Sequence, residues 1–262
     1  MRKIFLLSLM LSGYMIQSKQ IVQISVPKCG THLLMHCLSL LTGITGDDIG
    51  PMMNIMQRQA YNSAQIAERL HEQERDRIWW THMTYDKEKA NVLLQSGYPT
   101  FFIYRDPRDK IVSYVFYYMK RRGITLDVNT AITEVILYGN LDFKRKTKSI
   151  DEHFRRYFPW FDHPGILPIR FEDLVGPMGG GSLETQLALV RAIADHIQVD
   201  CSDERIAEVA RTMFGANQLS HTFRKGLIGD WKEHFTPEHK ELFKQVAGQL
   251  LIDLGYEIDL NW

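Results

Sequence analysis

The sequence predicts an α/β fold in which a central parallel sheet of about four to five strands is flanked by helices. Two observations indicate this class. Four short apolar runs have the length and composition of buried strands, and segments with helical periodicity lie between them. Strands that alternate with helices are typical of parallel sheets covered on both faces. The predicted strands are residues 21–26, 77–82, 99–104 and 165–170.

Helical patterns fill the connections between strands and most of the second half of the chain. A last helix is expected after Thr236, a favourable N-cap, because Pro237 suits its first position and Gly255 follows its end. The glycine-rich segment 175–182 predicts a surface loop. No linker divides the chain, so residues 21–262 are expected to form one domain. The other predicted helices are residues 31–41, 63–70, 87–95, 107–122, 183–197 and 203–213.

Composition limits the partners of this chain. Of its 262 residues, 31 are lysine or arginine and 31 are aspartate or glutamate, so the formal charge is zero. A neutral chain has no general attraction to nucleic acid, and no nucleic-acid partner is expected. An anion site has to arise from the local placement of charge.

The N-terminal segment, residues 1–20, has the form of a targeting signal. Arg2 and Lys3 precede an apolar run from Ile4 to Leu11 that continues to Ile16. The run is short for a membrane span and lacks a small-residue cleavage site, so a first strand or helix is the alternative. Membrane contact is expected only through this segment. Three cysteines are too few for a disulfide framework and favour the cytoplasm, whereas a working signal would imply the secretory route.

The loop after the first predicted strand has the layout of a P-loop-like anion site. In VPKCGTHLL, residues 26–34, a strand ends and a helix begins after a short turn. A helix N-terminus offers unpaired N–H groups and partial positive charge, and Lys28 adds a full charge. Gly30 allows close approach of the backbone, and Thr31 adds a hydroxyl. The pattern differs from G-x-x-x-x-G-K-[ST], because the lysine precedes the glycine and the loop is shorter.

Cys29 and two nearby histidines suggest other chemistries that the spacing disfavours. A helix N-terminus can activate a thiolate, but a cysteine phosphatase would carry an arginine six positions later, where Met35 stands. His32 and His36 are spaced for one helical face, yet HLLMH lacks the glutamate of a zinc protease and further ligands. We therefore expect no metal site, and a packing or hydrogen-bonding role for His36.

Two further segments contain groups that suit an anion. YRDPRDKIVSY, residues 104–114, places Arg105 at a strand end and Ser113 on the helix that follows. A phosphate clamp and an ion pair of Arg105 with a neighbouring aspartate are equally open. FRKGLIGDWKEHFT, residues 223–236, combines Arg224, Lys225 and Gly226 as a second clamp or as a solvated basic turn.

His82 ends the third segment, WWTH, residues 79–82. Ligands in parallel sheets bind at the carboxyl ends of the strands, so this histidine is placed among catalytic groups. A lone histidine is more often structural than catalytic, and both roles stay open on the residues alone.

These segments, in this order, resemble the sulfotransferases that use 3′-phosphoadenosine 5′-phosphosulfate as donor. VPKCGTHLL is similar to their 5′-phosphosulfate loop, usually Pro-Lys-Ser-Gly-Thr-Thr-Trp, and YRDPRDKIVSY is similar to their 3′-phosphate segment. Their Arg-Lys-Gly-x-x-Gly-Asp-Trp segment is reproduced in full by residues 224–231. The resemblance extends from about Ile21 to Gly255.

The resemblance implies in-line transfer of a sulfuryl group from this donor to a hydroxyl or amine of a small-molecule acceptor, without a metal. His82 is the implied general base, and Lys28 is implied to neutralise the leaving phosphate. Neither the acceptor nor an oligomeric state is predicted, although residues 44–76 and 120–150 are expected to border the acceptor pocket. The implied donor-binding residues are Lys28, Cys29, Gly30, Thr31, His32, Arg105, Ser113, Phe171, Thr212, Phe214, Arg224, Lys225 and Gly226.

Four positions of these motifs depart from the family pattern, and one of them is His32, which stands where the family has threonine. Cys29 stands where the family has serine, Leu33 where it has tryptophan, and Trp80 where it has lysine. Two alternatives remain: a P-loop-type small-molecule kinase, and a nucleotide-binding module without activity. The first lacks its Gly-Lys-Ser/Thr motif and an evident magnesium carboxylate, and the second is disfavoured by the presence of both Lys28 and His82.

Overall fold

The computed structural model describes residues 19–52, 61–71, 75–141, 148–214 and 223–262. Within these residues a sheet of five parallel strands runs in the order β2-β3-β1-β4-β5. The predicted α/β class is therefore confirmed. Residues 1–18 lie outside the described part, so the targeting hypothesis stays a prediction. The strands are β1 (Gln20–Ser25), β2 (Ile49–Pro51), β3 (Arg77–Thr81), β4 (Thr100–Tyr104) and β5 (Ile166–Arg170).

The first strand lies at the centre of the sheet and is buried along its whole length. Its alternating side chains reach opposite faces, so Ile21 packs with one core cluster while Val22 and Ile24 pack with the other. Strand β2 was not predicted, because three residues with a proline carry no alternation signal. Its position at the edge of the sheet, against β3, is where Pro51 is tolerated.

Helices cover both faces of the sheet. Core residues of α1, α8 and α9 form one cluster, and those of α4, α5 and α10 form the other. All seven predicted helices are confirmed to within about two residues, while α5, α6 and the four-residue α7 were not predicted. The helices are α1 (Thr31–Thr42), α2 (Ser63–His71), α3 (Lys87–Ser96), α4 (Pro107–Arg122), α5 (Val128–Tyr138), α6 (Ile150–Arg155), α7 (Phe171–Leu174), α8 (Leu183–His196), α9 (Asp203–Thr212) and α10 (Pro237–Asp253).

Capping residues set the start of the two helices that matter most for the site and its support. Asp106 accepts a hydrogen bond from the Arg108 N–H at the start of α4, and Pro107 occupies the first position. Thr236 and His239 cap the start of α10 reciprocally. None of the helices in the described ranges is long and apolar enough to cross a bilayer.

Candidate active site

A cavity of about 990 Å³ opens at the carboxyl ends of the parallel strands. Its wall includes residues that directly follow β1, β3, β4 and β5, as expected for a sheet of this class. Among the described residues, no aspartate or glutamate lines it. The predicted site residues that do line it are Lys28, Gly30, Thr31, His32, His82, Arg105, Ser113, Phe171, Phe214, Arg224, Lys225 and Gly226.

The turn between β1 and α1 brings backbone and charge to this cavity. Lys28 has φ 72° and Gly30 has φ 104°, both in the left-handed region. A Cβ on Gly30 would lie 2.7 Å from Cδ2 of Phe171, so a larger residue would clash with that ring. Helix α1 has no side-chain cap, and Thr31 and His32 in its first turn line the cavity. The helix N-terminus is therefore available to an anion.

Lys28 holds its ammonium Nζ 4.0 Å from the centre of the Tyr117 ring. Burial lowers the pKa of Lys28 to about 8, and repulsion by Arg105 and Arg224 acts in the same direction. A left-handed backbone is uncommon for a residue with a Cβ and costs about 1–2 kcal/mol. The loop holds this lysine in an unfavourable backbone conformation and among like charges. A bound anion would relieve the repulsion between these charges.

Cys29 was predicted to bind the donor, but it does not line the cavity. Its side chain is 0% exposed and packs into the core, and its N–H donates to the Val26 carbonyl. Burial raises the pKa of the thiol to about 12, so the thiolate needed for a nucleophile is disfavoured. Neither its side chain nor its N–H is directed to the cavity, because the turn carries the Cys29 side chain inward between two left-handed residues.

Arg105 forms the ion pair with a neighbouring aspartate and is also placed to bind an anion, the two roles that the sequence left open. Its guanidinium stacks 4.2 Å from the centre of the Phe171 ring, donates to the Leu227 carbonyl at 2.6 Å and lies 3.4 Å from the Asp109 carboxylate. It nevertheless lines the cavity, as does Ser113 two turns along α4. The ion pair orients Arg105 without removing it from the site.

Asp109 joins the segment of residues 104–114 to the segment of residues 223–236. Its fully buried carboxylate accepts hydrogen bonds from the N–H groups of Gly229, at 2.8 Å, and Trp231, at 2.9 Å. These bonds draw the segment 223–236 against the first turn of α4. Arg105 and Arg224 come to one cavity for this reason, although 118 positions separate them in the chain.

Arg224 and Lys225 meet the buried carboxylate of Asp230. The Lys225 ammonium lies 2.8 Å from this carboxylate and 3.0 Å from that of Glu233, and Arg224 pairs with Asp230 as well. The Arg224 guanidinium lies 4.8 Å from the centre of the Phe116 ring. Arg224 is half-buried at the cavity wall. The alternative that it belongs to a solvated basic turn is therefore wrong.

The aromatic end of the cavity is formed by Phe214 and Phe223, whose rings pack edge to face. A Cβ on Gly226 would lie 3.1 Å from each ring, so glycine permits this contact. Thr212 was also predicted to bind the donor, but it does not line the cavity. Its hydroxyl turns back and donates to the Glu208 carbonyl at 2.8 Å. Phe223 was missed, although it directly precedes the recognised Arg-Lys-Gly.

His82 is oriented by Ser25 at the end of β1. Its Nδ1 lies 3.0 Å from both the carbonyl oxygen and the hydroxyl oxygen of Ser25. A carbonyl only accepts, so the neutral ring carries its proton on Nδ1 and its lone pair on Nε2. Burial lowers the pKa of His82 below its ordinary value, with Lys28 and His32 as minor contributors, so the basic form dominates at neutral pH.

The cavity continues to further lining residues. Four of them lie within 120–150, the range expected to border the acceptor pocket, whereas none of the described residues of 44–76 lines the cavity. Aromatic side chains of α4 line it together with cations from α4 and from the residues just before and just after α6. The helical spacing of positions 110, 114, 117, 118 and 121 could have indicated this stripe. The additional lining residues are Lys110, Tyr114, Tyr117, Tyr118, Arg121, Gly139, Asn140, Lys148, His153 and Arg156.

Comparison with known proteins assigns the family. The family model described as a sulfotransferase domain matches residues 18–180 and 189–255. The chain belongs to the sulfotransferase domain family. Its sulfotransferase relatives include Sulfotransferase 6B1 of Danio rerio, 23% identical over 82% of this chain and 73% of the relative. Sulfotransferase 2A1 of Homo sapiens is 24% identical over 94% of this chain and 88% of the relative.

Solved structures show the same fold. Mouse sulfotransferase SULT7A1 complexed with PAP aligns with a TM-score of 0.67 and 21% identity, covering 91% of this chain and 87% of that one. Retinol dehydratase, in complex with androsterone and inactive cofactor PAP, aligns with a TM-score of 0.59 and 16% identity, covering 89% and 81%. The predicted family and P-loop-like fold are confirmed, and the chain is a sulfotransferase enzyme.

Proposed function

We propose that this sulfotransferase takes its sulfuryl group from 3′-phosphoadenosine 5′-phosphosulfate and that His82 and Lys28 carry the chemistry. One observation supports the proposal most strongly. Lys28, Arg105 and Arg224, from three distant segments, line one cavity together with His82. A nucleotide with anionic groups on both sides of its ribose matches this distribution of charge.

The 5′ end of the donor belongs at the turn before α1. Lys28, Thr31 and His32 surround the helix N-terminus there, and the unfavourable repulsion at Lys28 is relieved by an anion. The Thr31 hydroxyl is bonded to the Ser25 hydroxyl at 2.8 Å, which links the anion site to the histidine that Ser25 orients.

The 3′-phosphate belongs between α4 and the segment 223–236. Arg105 and Ser113 approach from α4, and Arg224, Lys225 and Gly226 approach from the other side. Asp230 pairs with both Arg224 and Lys225, so the phosphate has to compete with this carboxylate. Phe214 and Phe223 offer aromatic surface for the adenine.

The reaction needs one proton acceptor and one cation at the leaving group. The acceptor oxygen or nitrogen forms a bond to sulfur while the bridging S–O bond breaks, and the departing oxygen keeps the electron pair. Nε2 of His82 takes the acceptor proton, because Nδ1 is held by Ser25. Lys28 neutralises the charge that develops on the 5′-phosphate. We assign no step to a metal, and a small-molecule acceptor is expected.

Calorimetric titration with adenosine 3′,5′-bisphosphate in the absence of magnesium tests the donor assignment. We expect this nucleotide to bind more tightly than adenosine 5′-monophosphate, and Arg224→Met and Ser113→Ala to lower its affinity by about tenfold or more, since bonds to charged groups contribute about 1.5–3 kcal/mol. Lys120→Met is the matched control, because Lys120 is exposed on α4 and does not line the cavity.

Three results would count against the proposal. Equal binding of the mono- and bisphosphate would contradict the 3′-phosphate clamp. Magnesium-dependent binding of ATP in preference to the bisphosphate would favour a kinase. Tight bisphosphate binding without transfer of labelled sulfate to any acceptor of a broad phenol, alcohol and amine panel would favour an inactive module.

A further inference from the structure

The cavity contains four cationic side chains to which the proposed donor contacts assign no role. Lys110, Arg121, Lys148 and Arg156 line it. Among the described residues, no carboxylate lies within 4.0 Å of any of these four cations. The donor-side arginines differ, because Arg105 pairs with Asp109 and Arg224 pairs with Asp230.

Lys110 is the buried member of this group. It is 1% exposed, rises from the first turn of α4 and holds Nζ 4.8 Å from the centre of the Tyr114 ring. Burial lowers its pKa to about 8, which still leaves the ammonium mostly charged at neutral pH. A buried charge without a counter-charge is unfavourable. It nevertheless lines the cavity, so an anion bound there would lie beside it.

His153 lines the cavity together with Lys110, Arg156 and His82. Burial lowers the pKa of His153 to about 3, and the charges of Lys110 and Arg156 and the neighbouring His82 act in the same direction. The imidazole is therefore neutral, and its buried Nε2 has no hydrogen-bond partner within the described part of the chain. A neutral imidazole can donate one hydrogen bond to an anion. Arg156, held by a 3.1 Å bond to the Thr84 hydroxyl, supplies a second charge.

These three residues line the same cavity as His82, and we assign them to the acceptor side of the base. His82 interacts electrostatically with Lys28 and His32 on the donor side, while His153 connects it to Lys110 and Arg156. Aromatic rings border the space between. Tyr114 and Tyr118 stack with centroids 4.3 Å apart, and Trp80 lies 5.5 Å from the His82 ring. The walls suit a flat hydrocarbon body, and the end suits an anion.

We infer that the acceptor is itself an anion, with its carboxylate, phosphate or sulfate group against Lys110, His153 and Arg156 and its hydroxyl or amine at His82. The inference rests on the proposed function, because it takes His82 as the reacting end. A neutral acceptor would leave the buried ammonium of Lys110 without a partner. An anionic acceptor neutralises it and is anchored at the end remote from the transferred group.

Calorimetry with two matched pairs of probes tests the inference. One pair is 3-(4-hydroxyphenyl)propanoate and its methyl ester, and the other is lithocholate and its methyl ester. Each is titrated into the ligand-free protein and into protein with saturating adenosine 3′,5′-bisphosphate. In at least one pair the carboxylate should bind about tenfold to hundredfold more tightly than its ester, as expected for a charged hydrogen-bonded contact.

Three variants localise the effect. Lys110→Met and Arg156→Met should each reduce the preference for the carboxylate severalfold or more while leaving affinity for the ester unchanged. Arg156 is exposed, so this second variant is informative even if a change at buried Lys110 disturbs folding. Lys120→Met, which removes an exposed charge one position from Arg121, should leave the preference unchanged.

Each other outcome overturns part of the reasoning in a distinguishable way. Esters that bind as well as carboxylates in both pairs, or carboxylates that do not bind at all, refute the anionic acceptor. Bisphosphate binding is measured separately, so its absence refutes the proposed donor instead. If Lys110→Met slows labelled-sulfate transfer to an ester as much as to its carboxylate, Lys110 acts on the transferred group and its role toward the acceptor is wrong.

Discussion

Replacing Lys110 with methionine should stabilise the ligand-free enzyme. Methionine fills much of the volume of the lysine stem without its charge. The pKa of Lys110 falls from the ordinary 10.5 to about 8 because burial penalises the ammonium. One pKa unit corresponds to about 1.4 kcal/mol, so the charge raises the free energy of the folded state by about 3 kcal/mol at pH 7.

The pH dependence of this gain distinguishes electrostatics from packing. Below pH 8 the lysine is protonated in both states and the full penalty applies. Between pH 8 and 10.5 the folded protein has released this proton while the unfolded chain retains it, so the stability of the wild type rises with pH. The advantage of Lys110→Met should therefore fall from about 3 kcal/mol at pH 7 to about 1 kcal/mol near pH 9.5.

Urea unfolding at the two pH values measures these free energies by linear extrapolation. Lys120→Met provides the control for an exposed lysine of the same helix, and its stability should match that of the wild type. A Lys110→Met protein that is less stable than the wild type at pH 7, or whose advantage does not change with pH, would refute the assignment of Lys110 as a buried unpaired cation.

Four further predictions follow from the site geometry. His82→Ala should lower turnover roughly a hundredfold to ten-thousandfold while binding of adenosine 3′,5′-bisphosphate is kept, and near-normal turnover would remove it as base. Lys28→Ala should lower turnover about a hundredfold or more. Wild-type kcat/KM should fall above about pH 8 as Lys28 loses its proton. If the same fall above pH 8 is seen in Lys28→Arg, whose guanidinium stays charged, it has another source. Gly30→Ala should lower the unfolding free energy by about 1–3 kcal/mol, because its Cβ would lie 2.7 Å from Phe171, and a urea midpoint equal to the wild type would show that the turn adapts. Asp109→Ala should lower the unfolding free energy by about 3 kcal/mol or more in the same assay, since it leaves two N–H groups unpaired and a buried guanidinium without its carboxylate. Asp109→Asn, which keeps an acceptor oxygen, should lose less, and equal losses would mean that the bonds to Gly229 and Trp231 contribute little.

Local signals predicted most of the fold and the segments that bring Lys28, Arg105 and Arg224 to one cavity. The apolar strand runs, the cap Thr236 and Gly30 in the turn before α1 act within a few residues of themselves, so their consequences can be inferred from a short window. Strand β2 could not be inferred in this way, because three residues become a strand only through pairing with β3. Helices α5 and α6 begin at caps, Asp127 and Ser149, that were overlooked.

The direction of individual side chains was less predictable. Cys29 and Thr212 lie within the right segments, but the left-handed backbone around Cys29 turns its thiol inward, and Thr212 bonds to its own helix. A motif specifies which segment approaches a ligand. The backbone angles and the neighbouring side chains decide which of its atoms do so.

By itself the sequence determined the parallel α/β layout, the cation-bearing turns and the histidine at the end of β3, because each depends on local composition and on the order of segments. Only the tertiary structure decided that Asp109 binds the segment 223–236 to α4, and that Lys110, His153 and Arg156 line the same cavity as His82. The physical reason is that both arrangements join residues remote in the chain through buried charge, whose partners are set by packing and not by spacing.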